Sequence, residues 1–176
     1  MKAYKARIES PIGDLLLGAT DDGVFALEFT DCDERLRRHI AARAGDVELQ
    51  EGGPAARWAE PVRRYLAGSL DALDEIPVDP GGTSFQLSVW GALRRIPVGQ
   101  TRSYSEIAAA IGKPNAVRAV GAANGRNPVA LIVPCHRVVG SDGTLTGYAG
   151  GLERKLWLLN HEGAASPGQS RLGFPR

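Results

Sequence analysis

The sequence predicts an α+β protein built in two parts, and three observations carry that prediction. Three short runs with partial apolar alternation stand at the N-terminus. Two helix-start signatures open the second half. Between them, residues 74–82 hold two prolines and two glycines, the composition of a linker. A chain of 176 residues can hold one large domain or two small ones, and 43% hydrophobic with 23% charged residues is ordinary for a globular protein. The expected division is 1–73 as an N-terminal α/β domain, 74–82 as linker, 83–163 as a second domain carrying the chemistry, and 164–176 as a tail.

Taken in order, residues 4–9, 14–19 and 24–29 read as strands, with Ser10-Pro11-Ile12-Gly13 and Asp21-Asp22-Gly23 as the turns of an antiparallel meander. Residues 33–44 are helical in pattern and charged. Residues 54–67 form a second helix with Trp58, Val62, Tyr65 and Leu66 at core-like spacing. Thr83-Ser84-Phe85-Gln86 and Ser103-Tyr104-Ser105-Glu106 both fit the capping box. The first opens a helix with Phe85, Val89 and Leu93 on one face, and the second a short helix ending at Gly112. Pro114 suits the start of a third helix that runs through Arg118 and Val120 to Asn124-Gly125. Helix, tight turn, helix is the outline of a helix-turn-helix. A buried extended pair is expected around 131–133 and 138–139, then a glycine-rich loop over 143–151 and a last helix over 153–161. The tail is rich in Pro, Gly and Ser and is expected to be loosely held.

Charge is uneven. Residues 1–82 carry 10 Lys and Arg against 16 Asp and Glu, net −6, and residues 83–176 carry 11 against 4, net +7. A basic half suggests a polyanion partner for that half alone; drift between two solvated surfaces is the competing reading. The N-terminus lacks the apolar core of a signal peptide, and no apolar run approaches spanning length. Cys32 and Cys135 make no disulfide framework, so a reducing cytoplasm is expected. Cys32 lies among Asp31, Asp33 and Glu34, whose charge discourages a thiolate.

The stretch Ile132-Val133-Pro134-Cys135-His136-Arg137-Val138-Val139-Gly140 reads as buried extended chain broken by Pro134. It puts a thiol, an imidazole and a guanidinium into consecutive interior positions, and burying such groups without partners is costly. Read alone, Cys135 can be a small core residue, His136 a capped imidazole and Arg137 half of a structural ion pair. The segment 115–123 is equally unusual. It offers Ala, Val and Gly around the single Arg118, where a base-reading helix carries several Arg, Asn, Gln or Lys. Close, sequence-indifferent contact with a duplex, with Arg118 as probe or wedge, suits such a helix. An ordinary core-packed helix whose Arg118 faces water fits it too.

Pro134-Cys135-His136-Arg137-Val138, with Asn127-Pro128 upstream and Gly147-Tyr148-Ala149-Gly150-Gly151 and Leu158-Leu159-Asn160-His161-Glu162-Gly163 downstream, resembles the O6-alkylguanine-DNA alkyltransferases, the methylated-DNA–protein-cysteine methyltransferases. The resemblance covers nearly the whole chain. It implies a first part ribonuclease-H-like in shape, a winged helix-turn-helix second part, and transfer of a methyl or alkyl group from O6-alkylguanine, and from O4-alkylthymine, in double-stranded DNA to Cys135. A thiolate suits attack on sp³ carbon, but a free Cys has pKa about 8.5 and needs activation. In extended chain Cys135 and His136 point to opposite sides, so a water between them is expected. The resemblance implies that relay: Cys135, water, His136 and Glu162, with Glu162 orienting the imidazole and stabilising its cationic form, and Asn127 bracing the turn that bears the nucleophile. It also implies that Arg118 fills the gap left by an everted nucleotide. Tyr104 crowds the 3′ phosphate and supplies a proton to the departing guanine. Val138, Tyr148 and Ala149 form the base pocket, while Ser141, Ala116 and Ala119 touch phosphate. Arg94, Arg95, Arg102 and Arg126 are left as general attraction for DNA.

An S-alkyl cysteine has no activated carbonyl for water to attack, so each molecule is expected to act once, with alkylation overpacking the pocket. Cys32 and His39 lack companions at zinc spacing, so neither metal nor cofactor is expected. Ala130, Thr146 and Ala149 stand where some relatives have other residues, which bears on pocket width. The expected state is a monomer in solution, with scope for cooperative binding on DNA. Competing readings are a non-catalytic alkyltransferase-like protein that flips and flags lesions, a winged helix-turn-helix regulator, and, most remote, a cysteine hydrolase.

Overall fold

Alternation in the first thirty residues becomes three strands in the computed structural model, which describes residues 1–164. The predicted tail, apart from Ala164, lies outside the described residues. The strands are β1 (Tyr4–Ile8), β2 (Leu15–Thr20) and β3 (Gly23–Phe29). They pair antiparallel as a meander, with Ile8 opposite Leu15 and Leu15 opposite Phe29. A short strand that the alternation does not reveal, β4 (Gln50–Glu51), adds parallel to β1, giving the order β3-β2-β1-β4. Between β3 and β4 comes α1 (Asp33–Ala44), packed on β3, and after β4 comes α2 (Gly53–Leu66), packed on β1 and β2. Ala55, Ala59, Val62 and Tyr65 make the buried stripe of α2 at three- and four-residue spacing. At Gly18 a Cβ would lie 2.8 Å from the Phe25 ring, so only glycine lets the two strands close there.

Every residue of β3 is buried although it is an outer strand. Its free edge is covered by two other stretches of chain. Val24 donates to the Pro77 carbonyl at 2.9 Å and accepts from Asp79 N at 2.8 Å; Leu27 donates to the Pro128 carbonyl and accepts from Ala130 N, both at 2.9 Å. Unpaired edge amides invite foreign strands, and here the chain occupies them itself. The stretch read as a linker is thus anchored over Pro77–Asp79. The chain divides into Met1–Gly81 with Pro128–Ile132 as one unit, and Gly82–Asn127 with Val133–Arg176 as the other.

In the second unit α3 (Ser84–Arg94) and α4 (Tyr104–Ala110) each begin at a formed capping box, with Thr83 and Ser103 as caps. Between them lies β5 (Arg102–Ser103). The next helix, α5 (Val117–Gly125), starts three residues later than Pro114 suggests, because Lys113–Ala116 closes first as a turn with a 2.9 Å bond. Helices α3, α4 and α5 pack on one another, and the Trp90 indole donates to the Ala123 carbonyl at 2.9 Å. β6 (Val138–Val139) pairs parallel to β5, and α6 (Leu152–His161) closes the described chain. Among the described residues no helix is long and apolar enough to cross a membrane. The class is α+β.

Candidate active site

The residues around Cys135 are not extended, which corrects the sequence reading. Two tight turns intervene. Ile132 N bonds the Ala130 carbonyl at 2.7 Å across Leu131, whose φ of +67° is the one left-handed value at a non-glycine among the described residues. This three-residue turn is the rarer, strained hand. Cys135 N then bonds the Val133 carbonyl at 2.8 Å across Pro134 (φ −81°, ψ 66°), the relaxed hand of the same turn. The expected strand at 131–133 is therefore absent. Cys135–Arg137 winds as one turn of 3-10 helix, closed by Arg137 N on the Pro134 carbonyl at 3.0 Å. Side chains in such a turn lie about a third of a revolution apart, so Cys135 and His136 do not oppose each other as in a strand. Asn127 Nδ2 donates to the Val133 carbonyl at 2.8 Å, fixing the chain just before the turn.

Cys135, His136, Arg137 and Glu162 are all buried. Glu162 follows the last turn of α6, which packs on the Cys135–Arg137 turn. Its Oε1 and Oε2 lie 2.6 and 3.1 Å from His136 Nε2, and Arg137 Nε donates to the same oxygens at 2.8 and 2.9 Å. Arg137 Nη1 reaches the Ile96 carbonyl at 2.7 Å. Burial alone would raise the Glu162 carboxyl; His136 and Arg137 outweigh it and hold the group at about 2. For His136 burial is the larger effect and pushes it below the usual imidazole range, against the pull of Glu162, with Arg137 and Lys155 adding to the push. Glu162 thus favours the imidazole's cation, as expected of it, and burial opposes that pull. Nε2 faces the carboxylate and carries the proton, while buried Nδ1, a lone-pair acceptor, meets no hydrogen-bond partner among the described residues.

The other expected residues are spread around this cluster. Val138 is buried in β6 beside Arg102 of β5. Tyr148 is half-buried and Ala149 exposed in the loop before α6. Tyr104 opens α4 and its hydroxyl meets Thr146 Oγ1 at 2.7 Å. Arg118 and Ala119 are exposed in the first turn of α5, Ala116 is its cap, and Ser141 is exposed after β6. In the first unit Cys32 caps α1 with Sγ 3.7 Å from Asp31 Oδ1, and burial with Arg35 and Arg38 lowers His39 to about 4.

Two residues escaped sequence reasoning. Leu131 gave no glycine-like signal for its backbone. Lys155 is fully buried, with Nζ 3.1 Å from the Thr146 carbonyl, and burial lowers it to about 8 against an opposing pull from Cys135. Its signal was present: 155, 158, 159 and 162 form one helical stripe, and Lys155 begins it.

Such a cluster, a buried thiol next in sequence to an imidazole held by a carboxylate–guanidinium pair, suits nucleophilic chemistry. The family described as 6-O-methylguanine DNA methyltransferase, DNA binding domain, matches residues 84–164. The methylated-DNA–protein-cysteine methyltransferase of Shigella flexneri is 42% identical over 166 residues, 93% of this chain and 97% of that one. The methylated-DNA–protein-cysteine methyltransferase of Methanosarcina barkeri is 48% identical over 159 residues, 90% and 96% of the two chains. The crystal structure of Mycobacterium tuberculosis OGT in complex with DNA matches with a TM-score of 0.77 at 38% identity, covering 99% of this chain and 100% of that one. At that identity over nearly the full length of both partners, the chain belongs to the methylated-DNA–protein-cysteine methyltransferase family.

Proposed function

We propose that this protein repairs DNA by direct reversal, moving a methyl or larger alkyl group from O6-alkylguanine, and from O4-alkylthymine, in double-stranded DNA to Cys135, once per molecule. The observation that carries the reading is the buried thiol one residue from an imidazole whose Nδ1 has no hydrogen-bond partner among the described residues and whose Nε2 lies 2.6 Å from Glu162 Oε1.

Cys135 gives its proton to His136 Nδ1 through one water. Glu162 and Arg137 fix the ring so that this lone pair stays available. The sulfur electron pair attacks the alkyl carbon; an S–C bond forms, the C–O6 bond breaks, and its electrons go to the guanine. The Tyr104 hydroxyl hands the base a proton. Asn127 holds the chain before the nucleophile, and Val138, Tyr148 and Ala149 frame the base. Arg118, on a helix face small enough for close approach, replaces the everted nucleotide in the stack, while Ser141, Ala116 and Ala119 meet phosphates. The thioether has no activated carbonyl, so nothing regenerates Cys135. In this reading the first unit is ribonuclease-H-like in outline, the second is a winged helix-turn-helix with α5 toward DNA, and the protein works as a monomer.

Exposure to duplex carrying O6-methylguanine should add about 14 Da to the peptide containing Cys135, and to no other, by intact and peptide mass spectrometry. An unmodified chain, or an adduct on Cys32, would overturn the reading.

A further inference from the structure

The proton that the repair chemistry asks of Tyr104 leaves from a hydroxyl that is already engaged. Tyr104 Oη lies 2.7 Å from Thr146 Oγ1, and among the described residues neither hydroxyl has another hydrogen-bond partner. Both side chains are half-buried, and the repair chemistry gives Thr146 no task. The backbone is fixed on either side of the pair. Tyr104 is the first residue of α4, behind the capping box of Ser103 and Glu106, and Ser103 pairs with Val139 just beyond the Cys135–Arg137 turn. A Cβ at Gly121 of α5 would lie 3.8 Å from the Tyr104 ring, so the ring lies close over α5 where no side chain intervenes. Thr146 is held by its carbonyl, which accepts from Lys155 Nζ at 3.1 Å. The two hydroxyls thus meet between fixed supports.

We propose that Thr146 is a positioning residue that aims the Tyr104 hydroxyl proton at the departing base and steadies the phenol oxygen as that proton leaves. The proposal rests on the alkyl-transfer reading, in which Tyr104 is the proton donor. A phenol has one proton to give. A partner that only accepts, such as a carbonyl, would hold that proton inward; one that only donates, such as an N–H, could not take it at rest. A threonine hydroxyl does either. Before a base arrives Tyr104 donates to Thr146. Once a base is seated the pair reverses: Thr146 donates to the Tyr104 oxygen, and the Tyr104 proton turns outward. At transfer the S–C bond forms and the C–O6 electron pair moves into the guanine, while the Tyr104 O–H bond breaks and its proton joins the base. The phenol oxygen keeps the O–H electron pair, and a hydrogen bond to the charged form favours that form. Thr146 keeps its own proton throughout, and water returns one to Tyr104 afterwards.

Methyl transfer under single-turnover conditions tests this in Thr146→Val, which keeps the shape of the side chain and removes the hydroxyl. At saturating lesion duplex the rate should fall by about tenfold, the loss of one such bond in the transition state, with duplex affinity unchanged. The same fall is expected with free O6-methylguanine base, and Thr146→Ser should recover most of it. Tyr104→Phe should be at least as slow. Adding Thr146→Val to Tyr104→Phe should slow it no further, because Thr146 acts through that hydroxyl. Carbamidomethylation of Cys135 by iodoacetamide, whose iodide leaves without a proton, should not slow in Thr146→Val. If that variant does not fold, Thr146→Ala takes its place in each comparison. Transfer at the parent rate in Thr146→Val would overturn the proposal, as would a slowing confined to duplex. So would a double variant slower than Tyr104→Phe by the full Thr146→Val factor, or carbamidomethylation that slows in step. A parent chain that takes no methyl sinks the repair reading and the proposal with it; a slow Tyr104→Phe beside a parent-rate Thr146→Val sinks the proposal alone.

Discussion

The carboxylate of Glu162 lies 2.6 Å from His136 Nε2 while Arg137 Nε reaches both of its oxygens, so one buried anion satisfies two neighbours of the nucleophile. Removing it leaves a guanidinium and an imidazole N–H unmatched in the interior. Glu162→Ala is expected to cost about 3–5 kcal/mol. At about 2–4 °C per kcal/mol the melting temperature should fall by on the order of 10 °C. Thermal melts followed by circular dichroism check this; a loss within a degree or two would mean that the cluster contributes little.

Acid should weaken the protein in two stages. His136 and His39 are both lowered below 6.5, so as pH falls through 6.5 the unfolded chain binds protons that the folded chain refuses, and stability drops. Glu162 is lowered from 4.5 to about 2, so its contribution is complete above 4.5 and is lost as pH falls toward 2. Urea midpoints from pH 8 to pH 2 should decline from about 6.5 downward and steepen below 4.5. Glu162→Gln should remove the second stage.

Asn127 is 1% exposed and its amide satisfies the Val133 carbonyl. Asn127→Ala removes one of the two donors to that carbonyl, the other being Cys135 N, at a cost of about 0.5–1.5 kcal/mol. The larger effect should be on Cys135, whose turn loses its fixed approach: methyl transfer measured under single-turnover conditions should slow more than the stability loss explains.

Leu131 offers a test with an inverted order. Glycine is normally worse than alanine inside ordered chain, but at φ +67° alanine keeps a left-handed penalty of about 1–2 kcal/mol. Both variants lose the buried leucine side chain. Leu131→Gly should therefore be the more stable of the two by about 1 kcal/mol in denaturant melts. Alanine proving better would show that the turn relaxes.

Arg118 is exposed, so Arg118→Ala should leave the melting temperature unchanged. On lesion duplex it should slow transfer and spare reaction with free O6-methylguanine base. Equal slowing on both substrates would place Arg118 outside any role in opening the duplex.

Much of this was legible in the residues. The capping boxes at Thr83 and Ser103 announced α3 and α4 because both partners of each box are local. The Pro-Cys-His-Arg run marked the buried polar cluster, since those types are rarely interior together. What could not be read was set by distant contacts. Gln50 and Glu51 are exposed and show no alternation, so only their bonds to β1 make them a strand. Apolar neighbours made 131–133 look extended, while the bonds of Ile132 N to the Ala130 carbonyl and of Cys135 N to the Val133 carbonyl fold it otherwise. A lysine among charged helix residues reads as solvated, and only the stripe it shares with Leu158, Leu159 and Glu162 says that Lys155 is not.

Leu27 at the outer rim of the sheet waits for partners that are encoded far downstream. During synthesis at about 5–20 residues per second, the interval between Gly81 and Ile132 lasts roughly 3–10 s. Throughout that interval the nascent first unit stands at the ribosome with its rim open at Leu27. Any fragment ending at Gly81 inherits that gap permanently, and its hazard is sticking to itself strand against strand.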